Sequence, residues 1–98
     1  MLLSCGSTSG MRTLGTLDRE AIDVPLRFEF PKGAVRVANT CNSPLTDPRD
    51  GTQLIMQASY GEEGVGDYVV PSGKYGVKSG ELLRVNCATG EVVGIVKR

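Results

Sequence analysis

Apolar and polar residues alternate along much of the chain from residue 26 onward, which is the pattern of strands with one buried face. In the segment LRFEF, Leu26, Phe28 and Phe30 face one way and the charged residues between them face the other. The turn sequence PKG follows, and AVRVANTC alternates again. Two alternating runs joined by a short turn predict a β-hairpin over residues 26–41.

The middle of the chain predicts further strands separated by loops. Residues 42–51 contain two prolines, an Asp-Pro and an Asp-Gly, so we expect a loop there. TQLIMQASY then reads as a strand with Leu54, Met56 and Ala58 on one face. The glycine-rich residues 61–67 predict a second loop, and YVV after them a short strand.

The C-terminal third predicts three more strands, in the segments KYGVK, ELLRVNC and VVGIVKR. Turns are expected at Ser79 and Gly80, and again in ATGE, where Gly90 can adopt a positive φ. Six or seven short strands without a convincing helix indicate an all-β fold, a small antiparallel barrel or sandwich.

The chain divides into one tail and one domain. Residues 1–17 are rich in Ser, Thr and Gly and have no sustained period, so we interpret them as a flexible tether or a processed leader. Residues 18–98 are expected to form a single β domain, because 98 residues are too few for two cores.

Composition narrows the functional classes. The chain carries 11 basic and 11 acidic side chains, so its zero net charge gives no reason to expect a nucleic-acid partner. Histidine, the commonest general base and transition-metal ligand, is absent. The acidic residues lack the spacing of an EF-hand, and the glycine-rich loops do not match a phosphate-binding loop. We therefore expect no metal, no small-molecule cofactor and no enzymatic activity.

The three cysteines bear on whether the protein lies in an oxidising or a reducing compartment. Cys41 and Cys87 each end a predicted strand on its buried face, whereas Cys5 lies in the tail. In an oxidising compartment, Cys41 and Cys87 are the natural pair, and their disulfide would be worth about 4 kcal/mol in the chain-entropy model. The alternative is two buried free thiols in a cytosolic protein.

The start of the chain, Leu2-Leu3-Ser4-Cys5-Gly6, resembles the lipobox of bacterial lipoproteins. The resemblance implies cleavage before Cys5, acylation of its thiol, and a lipid-anchored location on the bacterial cell envelope, facing the periplasm or the exterior. It also accounts for the odd cysteine count. Only four residues precede Cys5, whereas a lipoprotein leader has a basic start and an apolar stretch. Two other interpretations therefore stay open: GSTSG resembles a cloning linker before a native start at Met11, or Cys5 is incidental.

The segment VPSGKYGVKSGE presents an aromatic residue among hydrogen-bond donors, which favours a contact surface on a rigid β scaffold. We expect Ser72, Lys74, Tyr75 and Lys78 to contact a partner. The alternative is a plain hairpin with a half-exposed Tyr75. The run Ser72-Gly73-Lys74-Tyr75 resembles the Ser-Gly-x-x-Tyr segment of the periplasmic c-type lysozyme inhibitors, which are small β-barrels, but it is one residue shorter. This resemblance implies an inhibitor of an envelope or cell-wall enzyme.

These observations favour a small envelope lipoprotein that acts as a non-catalytic protein-binding or structural module. Its expected partners are another envelope protein and, through Cys5, the membrane. An inhibitor of an envelope enzyme, a small enzyme dependent on carboxylates or on Lys74, and a cytosolic adaptor with reduced thiols are the alternatives.

Overall fold

The computed structural model describes residues 14, 16–21, 24–25, 27–33, 41–71 and 73–98. These residues form an all-β fold whose strands pair in one antiparallel sheet, in the order β1-β2-β3-β4-β5. Each strand therefore pairs with the next one along the chain. The strands are β1 (Leu45–Thr46), β2 (Gln53–Tyr60), β3 (Val65–Val69), β4 (Glu81–Asn86) and β5 (Val92–Lys97).

The all-β prediction is confirmed, but the described residues contain five strands rather than six or seven, and their sheet is open. The segment KYGVK does not form the expected strand. It contains a 3₁₀ turn, Lys74–Gly76, because Gly73 and Gly76 both adopt a positive φ that bends the backbone. Most of the second half of the predicted hairpin, residues 34–40, lies outside the described residues.

The two predicted loops are shorter than expected. Residues 42–51 include β1, whose Leu45 is completely buried. The second loop is a turn at residues 61–64, because Val65 already begins β3. Proline and glycine content therefore predicts these turns in the right places but overestimates their length. The strand β1 escapes prediction because two residues are too few to show an alternation.

A register shift in β2 changes which side chains share a face. Met56 lies opposite Tyr68, but Ala58 lies opposite Asp67. Successive residues of β3 point to opposite faces, so the extra residue between these pairs moves Ala58 away from the face of Met56. The prediction that Leu54, Met56 and Ala58 share one face is therefore wrong for Ala58.

The segment 27–29 crosses beside the sheet in an extended conformation. Arg27 bridges Glu91, and Glu29 bridges Thr46, so the segment touches the start of β5 at one end and β1 at the other. Phe28 is 1% exposed while Arg27 and Glu29 are exposed, as the alternation in LRFEF predicts. Phe28 joins the hydrophobic core, whose members are Phe28, Leu45, Leu54, Tyr68, Tyr75, Val77, Leu83, Val85 and Ile95.

The disulfide between Cys41 and Cys87 is present, with a Cα–Cα distance of 4.7 Å, which confirms the predicted pair. It joins the residues that precede β1 to the end of β4. Its Sγ at Cys41 packs closely against Gly66, where an added Cβ would approach to 3.1 Å. The backbone N–H of Cys87 also donates to the Gly64 carbonyl at 2.9 Å, so the disulfide lies at the end of the sheet that carries the 61–64 turn.

Candidate functional site

Two loops meet at the end of the sheet opposite the disulfide. We call them the first loop (residues 47–52, between β1 and β2) and the second loop (residues 70–71 and 73–80, between β3 and β4). Alternate connections of an antiparallel meander lie at the same end of the sheet, so the topology brings these loops together. Within the first loop, the Asp47 N–H donates to the Thr52 carbonyl and the Gly51 N–H donates to the Asp47 carbonyl, both at 2.8 Å.

The central contact between the loops is a buried hydrogen bond from the Tyr75 hydroxyl to Asp47 Oδ2, 2.7 Å long. Tyr75 is 5% exposed and Asp47 is completely buried. The Tyr75 ring packs edge-on against Phe28, with 5.8 Å between ring centroids. The expectation that Tyr75 is half-exposed is therefore wrong. Its ring can enter the core because Asp47 satisfies the hydroxyl, which would otherwise be costly to bury.

Tyr75 occupies the left-handed backbone region, with φ 57°. This conformation is uncommon for a non-glycine residue and costs on the order of 1–2 kcal/mol. The ring packing and the hydroxyl bond to Asp47 offset that cost. The strain identifies the second loop as a segment held in place by tertiary contacts.

Asp47 is held as an anion. Its Oδ1 accepts from the Arg49 backbone N–H at 2.8 Å, and its Oδ2 accepts from the Arg49 Nη2 at 3.1 Å. Burial raises the pKa of Asp47, but the hydrogen bonds from Arg49 and Tyr75 outweigh it and lower the pKa below its ordinary value. Burial, followed by the adjacent Asp47 carboxylate, raises the pKa of Tyr75 well above its ordinary value, so its hydroxyl remains a donor.

A second contact between the loops is the ion pair of Lys74 with Asp50. Asp50 Oδ1 also accepts from the Thr52 N–H at 2.9 Å and from the Thr52 hydroxyl at 2.7 Å. Hydrogen bonds from Lys74 and then from Thr52 lower the pKa of Asp50 far below its ordinary value. The Lys74 ammonium also lies 5.6 Å from the centroid of the Tyr75 ring, within the range of a cation–π interaction. The two loops are therefore joined at a buried and at an exposed point.

The chain before the sheet is fastened to the same end. Arg19 forms a hydrogen-bonded bridge with Ile95 of β5, and its guanidinium donates to the Gly76 carbonyl and to Glu81. Glu81 Oε1 also accepts from the Lys78 backbone N–H at 2.7 Å. The hydrogen bond from Arg19, followed by that from Lys78, lowers the pKa of Glu81. Arg19 and Glu81 thus hold in place the part of the second loop that leads into β4.

A concavity adjoins the second loop, lined in part by Val69, Val70, Lys78, Gly80 and Arg98. The Arg98 backbone N–H donates to the Gly80 carbonyl at 2.9 Å, which sets the end of the described chain against the turn before β4. The side chains of Lys78 and Arg98 are exposed. Ser79 and Glu81 complete its lining, so the concavity combines two cations and one carboxylate with apolar side chains.

Only some of the functional residues predicted from the sequence lie at this site. Lys74 and Lys78 belong to it, Tyr75 supports it from inside, and Ser72 and Cys5 lie outside the described residues. Sequence reasoning missed Arg19 and placed Asp47 in a loop without identifying its partner, Tyr75. No local signal could reveal their partners, which lie 62 and 28 residues away along the chain.

A second charged pair, Asp67 with Arg84, lies inside the sheet rather than at its end. The Arg84 Nε donates to Asp67 Oδ1 at 2.8 Å, and both side chains are 5% exposed. The guanidinium also lies 5.4 Å from the centroid of the Tyr60 ring. The two residues are directly opposed on β3 and β4, so we interpret the pair as a structural element.

The described part of the chain contains no group of three or more potential metal-ligating side chains. None of its helices has the length and apolar character needed to cross a membrane. Comparison of the chain with protein-family models, with curated proteins and with solved structures gives no match.

Proposed function

We propose that this protein is a non-catalytic protein-binding module of the bacterial cell envelope, tethered to the membrane through an acylated Cys5. The observation that carries the binding role is the buried hydrogen bond of Tyr75 to Asp47, which joins two loops at one end of a disulfide-linked sheet. Loops fixed in this way lose little conformational entropy when a partner binds, so their surface is preorganised for recognition.

The chemistry of the carboxylates supports a binding role over an enzymatic one. A general acid needs a carboxyl with a raised pKa, whereas Asp47, Asp50 and Glu81 all have lowered pKa values because cations pair with them. Lys74 is engaged with Asp50, which opposes its use as a neutral nucleophile. The proposed contact residues are therefore Lys74 and Lys78, with Ser72 beside them in the chain and Tyr75 as their support.

Inhibition of an envelope or cell-wall enzyme is the second candidate. The 3₁₀ turn Lys74–Gly76 overlaps the short stretch that resembles the lysozyme inhibitors, and it presents Lys74 at the tip of a fixed loop. Addition of the purified protein to c-type lysozyme in a cell-wall lysis assay tests this candidate. Unchanged lysis at a large molar excess of the protein would remove it.

We also propose that the sheet curls into a small barrel. The segment 27–29 supports this because it bridges Thr46 of β1 on one side and Glu91, next to β5, on the other. These bridges lie where a closed sheet would need an additional strand. Protection from hydrogen exchange at the N–H groups of Phe28, Glu29 and Thr46 comparable to that of β4 would support closure, and rapid exchange at all three would contradict it.

Two experiments test the main proposal. Mass spectrometry of the protein expressed from its complete upstream reading frame should show acylation of Cys5; an unmodified Cys5 in envelope material would contradict the anchor. The disulfide-intact protein should also capture an envelope protein from a membrane extract. A Lys74→Glu variant should capture less, whereas Glu62→Lys at the opposite end should capture as much as the original protein.

A further inference from the structure

Charge is segregated in this protein although its net charge is zero. The loop end, which we call the basic end, consists of the two loops, Asp18 and Arg19, and the termini of β4 and β5. Asp18 belongs to it because its N–H donates to the Ile95 carbonyl at 2.6 Å. Among the described residues, the basic end holds six cationic and four carboxylate side chains, which are Arg19, Arg49, Lys74, Lys78, Lys97 and Arg98 with Asp18, Asp47, Asp50 and Glu81. The other described residues hold three cations and six carboxylates.

Three of the four carboxylates of the basic end are engaged internally. Asp47 pairs with Arg49, Asp50 with Lys74, and Glu81 with Arg19. The cations outside these pairs are Lys78, Lys97 and Arg98, which are exposed, as is the fourth carboxylate, Asp18. The basic end therefore has a surplus of two positive side chains. Lys97 is opposite Glu81 in the sheet, and Lys78 and Arg98 line one concavity, so these three cations are neighbours.

We infer that the basic end binds a protein that presents an acidic face, and that the concavity between Lys78 and Arg98 receives a glutamate or aspartate side chain of that partner. This inference rests on the proposed binding function and specifies the chemistry of its partner. The two cations match the carboxylate, while Val69 and Val70 can contact its methylene stem. Glu81 also lines the concavity, but its carboxylate is paired with Arg19.

The rigidity of the basic end favours a protein over an anionic membrane as the occupant. Ion pairs and the bond from Tyr75 to Asp47 fix the shape of the two loops. A fixed shape improves complementarity to a folded partner but adds nothing to attraction by a fluid layer of anionic headgroups. On the rest of the described surface, carboxylates outnumber cations. Their repulsion would also orient an approaching acidic partner toward the basic end.

The first test uses a defined probe, the peptide decaglutamate, titrated into isotopically labelled full-length protein and followed by amide NMR. We expect shift changes at residues 47–52, 73–81 and 97–98, and their loss in about 0.5 M salt, where screening acts within a few ångströms. The double variant Lys78→Glu/Arg98→Glu should bind at least about tenfold more weakly. Lys32→Glu, an exposed lysine outside the basic end, is the matched control and should bind within about twofold of the original protein.

The second test repeats the envelope capture with the same double variant. If the original protein captures no envelope protein, the proposed function fails. If it captures one and the double variant captures it equally well, the function stands and the acidic-face inference is overturned. Shift changes confined to residues 61–64 would also overturn it. Binding of the unacylated protein to vesicles with about 30% phosphatidylglycerol, lost in the double variant while decaglutamate has no effect, would assign the basic end to lipid instead.

Discussion

Removal of one hydroxyl group tests whether the two loops are joined as described. Tyr75→Phe keeps the ring against Phe28 but deletes the donor to Asp47, which is completely buried. Among the described residues, Asp47 then keeps bonds from Arg49 alone. Because hydrogen bonds to charged groups contribute about 1.5–3 kcal/mol, we expect the free energy of unfolding to fall by about 2 kcal/mol at pH 7. In a domain of this size, that loss lowers Tm by about 8–16 °C.

The loss should depend on pH with a defined sign. Asp47 has a lowered pKa in the folded protein, so its bonds stabilise the fold fully above the unfolded-state value of about 4 and are lost as the pH falls through the folded-state value. Tyr75→Phe removes one of the groups that lower this pKa. The difference in stability between the original protein and the variant should therefore be largest above pH 5 and should narrow between about pH 4 and pH 2.

Urea unfolding followed by circular dichroism at several pH values measures both effects, and two variants serve as controls. Tyr68→Phe deletes a hydroxyl that donates to the neutral Asn42 carbonyl, so its cost should be about 1 kcal/mol and independent of acid pH. Tyr60→Phe leaves the cation–π partner of Arg84 in place and should cost less than about 0.5 kcal/mol. A cost for Tyr75→Phe equal to that of Tyr60→Phe, or one that does not change toward low pH, would refute the reasoning.

Three further predictions concern the scaffold, and each is checked by urea unfolding. Gly90→Ala should lower the free energy of unfolding by more than about 3 kcal/mol, because an added Cβ would lie 2.2 Å from a backbone oxygen. Gly33 has a similar φ but open space around it, so Gly33→Ala should lower it by about 1 kcal/mol. Equal losses would contradict this. Replacing Cys41 and Cys87 by Ser should cost about 4 kcal/mol, since the bridge closes a separation of 46 residues, and reducing agent should then have no further effect. Asp67→Asn should cost about 3–5 kcal/mol because it leaves a buried guanidinium without its anion, and a loss under 1 kcal/mol would show that water reaches the pair.

The sequence predicted only part of the structure of the candidate site. The sequence predicted a strand for KYGVK, the segment from Lys74 to Lys78, and that prediction is wrong because the backbone turns at Gly73 and Gly76, which both adopt a positive φ. It suggested an exposed Tyr75, since an aromatic residue among polar neighbours has that appearance. The ring is buried because Asp47, which lies 28 residues earlier, accepts its hydroxyl bond. A pairing at that separation leaves no trace in a local pattern.

The sequence by itself determined the all-β class, the strands β2, β4 and β5, the turn at Gly90 and which two cysteines would pair in an oxidising compartment, but not that the disulfide forms. Each depends on a property of neighbouring residues, such as a period of two or a glycine with positive φ, or on there being two cysteines within the domain. Only the tertiary structure decided that the two loops are joined and that, among the described residues, cations outnumber carboxylates at one end. Those features arise because the meander brings distant segments into contact, and burial and charge pairing are then settled by which segments meet.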